Sequence, residues 1–113
     1  MKLMTRKLEI RFKKIGSQEI SKDPVVVCKF FNPTGAGTWL ATEYDPKEKI
    51  FFWYVSIFND HCDEWGSFSL KELEDYKGKF GLGIERDLHI NEKPISEIMP
   101  KAIIWKILIS LKL

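Results

Sequence analysis

One short polar segment holds most of the side chains that could bind a metal ion or transfer a proton. Asp60, His61, Asp63 and Glu64 lie within five consecutive positions, between two aromatic-rich stretches. Carboxylate oxygens bind hard divalent cations, and a histidine nitrogen would extend the choice to transition metals. The spacing matches neither the paired histidines of a zinc-protease helix nor the regular alternation of a calcium-binding loop. A metal or catalytic centre and a solvated loop are both open here, and we favour the loop.

Two residues further along the chain could complete a catalytic centre. Arg86 lies on the apolar side of a predicted strand, where an unpaired guanidinium is costly to bury, so it must meet an anion. Glu43, Asp60 and Asp63 are the candidate partners, and we favour a structural ion pair over a substrate contact. His89 lies on the polar side of the same strand, where it could act as a general acid or base. Any water-facing strand would show similar residues.

These residues together define one functional hypothesis, a metal-assisted hydrolase of the phosphodiester type. The metal would be held by Asp60, His61, Asp63 and Glu64. Arg86 would hold the anionic substrate, and His89 would transfer the proton. The hypothesis requires all of these side chains to converge in one cleft.

The second hypothesis, which we favour, is a non-catalytic binding or accessory module without a cofactor. The sequence contains no complete catalytic constellation, is rich in aromatic residues and segregates its charges. The expected partner is a protein, or a protein–nucleic-acid complex, and we predict contacts through Trp65, Thr34 and Arg11. A basic N-terminal helix could also bind nucleic acid directly. The oligomeric state is left open.

Length and composition predict a single globular domain. The chain has 113 residues, of which 44% are hydrophobic and 30% charged, which is typical of a folded soluble protein. The two cysteines, Cys28 and Cys62, cannot form a disulfide-dense scaffold. The N-terminal residues lack the apolar stretch of a signal peptide, and the apolar run at 102–113 is too short to span a bilayer. We therefore predict a cytoplasmic protein with no membrane contact.

The small net charge of +2 conceals three blocks of opposite sign. Residues 1–42 carry eight lysines and arginines against three acidic residues, and residues 76–113 carry seven against four. The block at 43–75 is acidic, with nine carboxylates against three basic residues. This pattern indicates charge complementarity within the fold or with a partner, rather than the broad basic excess of a dedicated nucleic-acid-binding protein.

The elements predicted from periodicity and capping signals describe an α+β fold. A helix begins after Thr5 and ends at Gly16, although the alternation of its apolar residues would also suit a strand. A second helix begins at the capping box of Ser69. We favour a third helix after Pro100, although the apolar residues at 103–113 would also suit a strand. The predicted strands cover residues 25–31, 38–44, 50–58, 66–68 and 82–90. The expected architecture is an antiparallel β-meander of four to five strands flanked by two or three short helices.

Two predictions concern burial. The strand at 50–58 is apolar on both faces, so we expect it to be central and covered on both sides. Trp65 adjoins a turn glycine, and we expect its side chain to be partly exposed. The glycine-containing loop at 32–37 leads into a strand and lacks the lysine of a phosphate-binding loop, so its glycines indicate unusual backbone angles instead.

Several blocks of residues resemble a known family of small bacterial proteins, classed as a domain of unknown function. They are Phe30-Phe31-Asn32-Pro33, Gly35-Ala36-Gly37-Thr38-Trp39, Ala41-Thr42-Glu43-Tyr44-Asp45-Pro46, Tyr54-Val55-Ser56-Ile57-Phe58, Asp60-His61, Asp63-Glu64-Trp65-Gly66 and Gly81-Leu82-Gly83-Ile84-Glu85-Arg86-Asp87-Leu88. The resemblance covers about residues 1–98, and the segment 99–113 does not resemble the usual family ending. Many members are carried on plasmids and integrative elements, so the resemblance implies a bacterial or mobile-element setting. It implies no activity, ligand or catalytic residue.

Overall fold

The structure, a computed structural model, describes residues 2–34, 37–56, 64–76, 82–100 and 102, without the side chains at 53, 55, 56 and 64. Within these ranges the helices are α1 (Arg6–Ile15), α2 (Leu70–Asp75) and α3 (Ile95–Ile98). The strands are β1 (Val25–Val26), β2 (Cys28–Phe31), β3 (Thr38–Asp45), β4 (Ile50–Ser56), β5 (Glu64–Ser69), β6 (Glu85–Arg86) and β7 (Lys93–Pro94). None of the described helices is long and apolar enough to cross a membrane.

The strands form a five-stranded antiparallel sheet in the order β5-β4-β3-β2-β6. Strands β2 to β5 pair with their neighbours in chain order, which confirms the predicted α+β meander. Strand β6 returns to the opposite edge beside β2, with Phe30 opposite Arg86. A separate two-stranded sheet, which the sequence analysis did not predict, pairs β1 with β7.

Local signals define both ends of α1. The Thr5 side chain accepts a hydrogen bond from the Leu8 backbone amide at 3.2 Å, which satisfies one of the free amides of the first turn. Gly16 follows the last turn with a φ of +71°, and its amide donates to the Phe12 carbonyl. The helix that was predicted between Thr5 and Gly16 is therefore confirmed.

The predicted cap of Ser69 at the start of α2 is also confirmed. Ser69 accepts a hydrogen bond from the Glu72 amide at 3.0 Å, and Leu73 is buried on the inner side of the helix. Helix α2 packs against the sheet directly after β5, so the chain passes from edge strand to helix with no intervening loop.

Buried side chains form two clusters, and strand alternation places these on opposite faces of the sheet. In β4, Phe51 belongs to the first cluster and Tyr54 to the second, and both side chains are fully buried. Helix α1 contributes Phe12 to the first cluster, whereas α3 contributes Ile95 to the second. The prediction that the strand at 50–58 is covered on both sides is confirmed for β4, because each of its faces carries a core. Strand β4 is an interior strand, flanked by β3 and β5, and residues 57 and 58 lie outside the described residues.

A β-bulge interrupts the pairing of β3 with β4. Ala41 lies opposite Trp53 and Glu43 opposite Phe52, so Thr42 is an extra residue on β3. The Thr42 side chain is fully buried. Because of the extra residue, Tyr44 lies on the same face as Ala41, and its ring packs 4.7 Å from that of Phe51.

The predicted strand at 82–90 is mostly wrong. Only Glu85 and Arg86 are paired as a strand. Of the apolar residues in this segment, Leu82 and Leu88 are exposed and Ile84 is buried. Alternation of apolar residues indicates a strand only weakly, because a strand also requires a neighbouring strand to which its backbone can bond. The helix predicted after Pro100 lies outside the described residues, apart from Ala102.

The expectation that Trp65 is partly exposed is also wrong. Its side chain is 8% exposed and belongs to the second cluster. The indole nitrogen donates a hydrogen bond to the Ala102 carbonyl at 3.0 Å, and the ring stacks against Phe52 with 5.7 Å between ring centroids. A sequence pattern at 64–68 could not reveal this contact with Ala102, which lies 37 positions away.

Candidate functional site

Most of the acidic segment of the sequence lies outside the described residues. Asp60, His61 and Asp63 fall in the range 57–63. Glu64 opens β5, where its backbone pairs with Val55. Among the described residues, no group of three or more histidine, cysteine, aspartate or glutamate side chains could hold a metal ion. A metal site in the acidic segment therefore stays a prediction.

Arg86 has backbone oxygens as partners. Its Nη1 donates hydrogen bonds to the carbonyls of Lys2 at 2.8 Å and Leu3 at 2.9 Å. These bonds tie the residues that precede α1 to the edge strand β6. Carbonyl oxygens were not considered as partners in the sequence analysis, although they carry enough negative charge to satisfy a half-buried guanidinium.

His89 lies in an exposed turn after β6. Its backbone amide donates to the Asp87 carboxylate at 2.8 Å, and the same carboxylate lies 3.7 Å from the Lys29 ammonium. Arg86 thus ends β6 and His89 lies in the turn that follows, with Asp87 in a structural role between them. The structure does not describe the metal-binding residues that the hydrolase hypothesis would place beside them.

A groove of about 690 Å³ lies between α1 and the segment 86–92. One wall consists of residues from α1 and Thr5, and the other of residues from β6 and the loop that follows it. Val27 and Cys28 line it from the first cluster of the core. Arg86 and Arg11 both line this groove, so the structure brings together two residues that sequence reasoning chose for different reasons.

The Cys28 thiol belongs to the interior wall of the groove and stays protonated. Its side chain is buried, and burial raises the pKa to about 12, although the positive charge of Arg86 acts in the opposite direction. A thiol, unlike a thiolate, is a poor nucleophile and a poor metal ligand. Cys28 therefore contributes packing to the groove rather than covalent chemistry.

A bidentate ion pair links the two walls of the groove. The Arg11 guanidinium donates through Nε and Nη2 to the two carboxylate oxygens of Glu92, at 2.6 Å for Nη2 to Oε1. The pKa of Arg11 is raised by this hydrogen bond and by the negative charge of Glu92. The Arg11 and Glu92 side chains are 42% and 30% exposed, so water reaches both.

Positive charge on α1 exceeds the negative charge that faces it. Lys7 and Lys14 line the groove one turn to either side of Arg11. In the part of the chain that the structure describes, neither lysine has an ion-pair partner. Helix α1 therefore presents to the groove two ammonium groups that have no ion-pair partner among the described residues, beside the neutralised Arg11 guanidinium.

Two large apolar side chains are exposed in the same groove. Ile10 on α1 is 56% exposed, and Leu88 on the opposite wall is 63% exposed. Exposed apolar side chains are ordinary when isolated, but a pair that shares a concave surface with charged residues is typical of a contact site.

Sequence reasoning missed Glu92, Ile10 and Leu88 as site residues. The i, i+4, i+7 spacing of Lys7, Arg11 and Lys14 could have shown that these three residues share one side of a helix. No local signal could pair Arg11 with Glu92, because 81 positions separate them.

Thr34, predicted as a contact residue, lies in the β2–β3 connection. Its amide and hydroxyl both bond the Asn32 side-chain oxygen at 3.0 Å. Gly37 in the same connection has a φ of +142°, which confirms for this residue the unusual backbone angle that was predicted. Neither Thr34 nor Gly37 lines the groove.

Comparison with known proteins gave one match. No curated protein and no solved structure matches the chain. A family model described as "Protein of unknown function (DUF2958)" matches residues 3–105. That range includes every described element and both walls of the groove, so the matched region is the whole described fold. The chain belongs to this family of proteins of unknown function, DUF2958.

Proposed function

We propose that the protein is a non-catalytic binding module that contacts a partner through the groove between α1 and residues 86–92. The single observation that supports this most is the exposure of Ile10 and Leu88 on opposite walls of one groove. Burying two such side chains on binding is favourable by about 1.5–3 kcal/mol for each fully covered side chain. Basic residues around them would orient the partner.

The polar groups of the groove support binding rather than proton transfer. Arg86 is engaged by two backbone carbonyls, and Asp87 holds the turn at His89. Cys28 is a protonated thiol. These groups hold the shape of the groove, which is what a preorganised contact surface requires.

The partner that we propose is a protein, alone or in a complex with nucleic acid, of the bacterial host or of a mobile element. The resemblance of the sequence to plasmid-borne and integrative-element proteins motivates the setting. The hydrolase hypothesis stays a prediction, since Asp60, His61 and Asp63 lie outside the described residues.

Site-specific photo-crosslinking in the source organism tests the proposal. A photoreactive amino acid replaces Leu88 in one version of the protein and Ile20 in another. Ile20 is the matched control, because it is 98% exposed and does not line the groove. We expect a discrete crosslinked partner from position 88 and none from position 20.

A competition experiment shows whether the capture is specific to the groove. Excess unlabelled protein should abolish the crosslink at position 88, whereas excess Ile10→Glu protein should not, because the new carboxylate lies among the exposed apolar groups. Circular dichroism checks that Ile10→Glu is folded. If positions 88 and 20 give the same crosslinks, or if Ile10→Glu competes as well as the unchanged protein, the groove is not the contact site.

A further inference from the structure

The charges in the groove indicate the chemistry of its partner, an inference that rests on the proposed function. We infer that the groove binds an acidic amphipathic helix of a partner protein, and that a carboxylate of this helix replaces Glu92 on Arg11. In the unbound protein, Glu92 then serves as an internal substitute for the ligand.

The first support is the row of cations on α1. Lys7, Arg11 and Lys14 are separated by four and three residues, so they lie along one side of the helix over about 10 Å. A helix that lies alongside α1 has the same rise per residue. Carboxylates at positions i, i+4 and i+7 of such a helix would lie opposite these three cations.

The second support is the nature of the Arg11–Glu92 pair. Its geometry is that of a guanidinium with a carboxylate ligand, with both nitrogens of one edge engaged. Both side chains are substantially exposed, and ion pairs open to water are weak because solvent competes for each charge. An incoming carboxylate can therefore take the place of Glu92 at little cost.

The third support is the apolar pair on the walls. Ile10 and Leu88 require apolar groups on the ligand between or beside its carboxylates. An amphipathic helix supplies both kinds of side chain on adjacent faces. A nucleic acid supplies phosphates along its outer surface but no apolar side chains to cover Ile10 and Leu88.

Peptide binding measured by fluorescence anisotropy tests the inference. The probe is a labelled 21-residue helical peptide, with glutamates at i, i+4 and i+7 and leucines on the adjacent face. A second peptide has the same composition in an order that destroys the amphipathic pattern. A third peptide replaces each glutamate by lysine, and a short labelled DNA duplex is the fourth probe.

We expect the acidic amphipathic peptide to bind at least tenfold more tightly than the other three probes at low salt, with affinity falling as salt rises. Glu92→Gln should tighten its binding about threefold, because Arg11 is no longer occupied. Asp75→Asn is the matched control. It removes the carboxylate of an exposed ion pair with Lys71, outside the groove, and changes the net charge equally, so it should leave the affinity unchanged. Replacing Lys7 and Lys14 together by glutamine should weaken binding several-fold.

Several results would overturn the inference. The inference fails if the two acidic peptides bind equally well, or if the protein prefers the DNA duplex. It fails if neither the unchanged protein nor Glu92→Gln binds the acidic amphipathic peptide. It also fails if Glu92→Gln binds this peptide no more tightly than Asp75→Asn does. If any of them occurs while the crosslink at position 88 is still lost on competition, the groove is a contact site with a partner of different chemistry. If the crosslink is also absent, the proposed function fails as well.

Discussion

Gln18 and the Arg11–Glu92 pair both join distant parts of the chain through polar groups, but one is buried and the other is open to water. The Gln18 amide donates to the carbonyls of Val25 at 2.9 Å and Thr42 at 2.7 Å, and accepts from the Val25 amide at 2.7 Å. The Arg11–Glu92 pair is formally stronger, because both partners are charged. Its exposure nevertheless makes it replaceable.

The difference shows how burial decides what a polar contact does. A buried amide has no water to replace a lost partner, so each of its bonds is effectively required by the fold. An exposed ion pair exchanges its partner for water at low cost. We therefore assign Gln18 to the stability of the fold and the Arg11–Glu92 pair to recognition.

The largest expected effect is that of Gln18→Leu. The substitution removes three hydrogen bonds and leaves backbone groups of Val25 and Thr42 without the partner that Gln18 supplies. We therefore expect the free energy of unfolding to fall by about 3 kcal/mol. Urea denaturation followed by tryptophan fluorescence measures it. Glu19→Leu is the control, because Glu19 is the exposed neighbour, and it should change stability little. If Gln18→Leu lowers the free energy of unfolding less than Glu19→Leu does, the assignment of Gln18 to the stability of the fold is wrong.

A second prediction concerns another buried group, the Cys28 thiol. Burial raises its pKa from near 9 to about 12 in the folded protein. Above pH 9 the unfolded chain releases this proton while the folded chain keeps it, so stability falls as pH rises, by about 1.4 kcal/mol per pH unit until pH approaches 12.

Urea denaturation at pH 8 and pH 10 measures this effect. Between pH 8 and pH 10, the free energy of unfolding of the protein with Cys28 should fall by about 1 kcal/mol more than that of Cys28→Ala. Both proteins carry Cys62→Ser, so that only one thiol titrates. Parallel pH profiles for the two proteins would show that the Cys28 thiol ionises as readily in the folded protein as in the unfolded chain.

The smallest expected effect on stability is that of Glu92→Gln. Its contact with Arg11 is exposed, so we expect a thermal midpoint within error of the unchanged protein. Differential scanning fluorimetry at low and high salt measures this, with Asp75→Asn as the control for the lost charge. A drop as large as that of Gln18→Leu would mean that the ion pair supports the fold, and the distinction between the two contacts would disappear.

Local signals predicted the parts of the fold that depend on near neighbours in the chain. The caps at Thr5, Gly16 and Ser69 each act over three or four residues, and the sequence locates each of them. The apolar residues on both faces of β4 likewise predict its interior position, because a strand that is apolar on both faces is stable only when other elements pack against both.

The features that escaped prediction depend on residues far apart in the chain. Trp65 is covered by Ala102, 37 positions away, and Arg11 meets Glu92 across 81 positions. The segment at 82–90 shows the opposite failure, since its alternation is genuine but only two of its residues find a partner strand. The acidic segment, which attracted the first functional hypothesis, lies mainly outside the described residues.

The extra residue at Thr42 changes how β3 would respond to insertions and deletions. Side chains on a strand alternate in a two-residue rhythm, and the bulge shifts that rhythm by one step between Ala41 and Glu43. Removing Thr42 would leave Glu43 opposite Phe52 and Tyr44 opposite Phe51, so Tyr44 would stay on the face of Ala41. A single-codon loss at this point would thus preserve inside and outside along the last part of the strand.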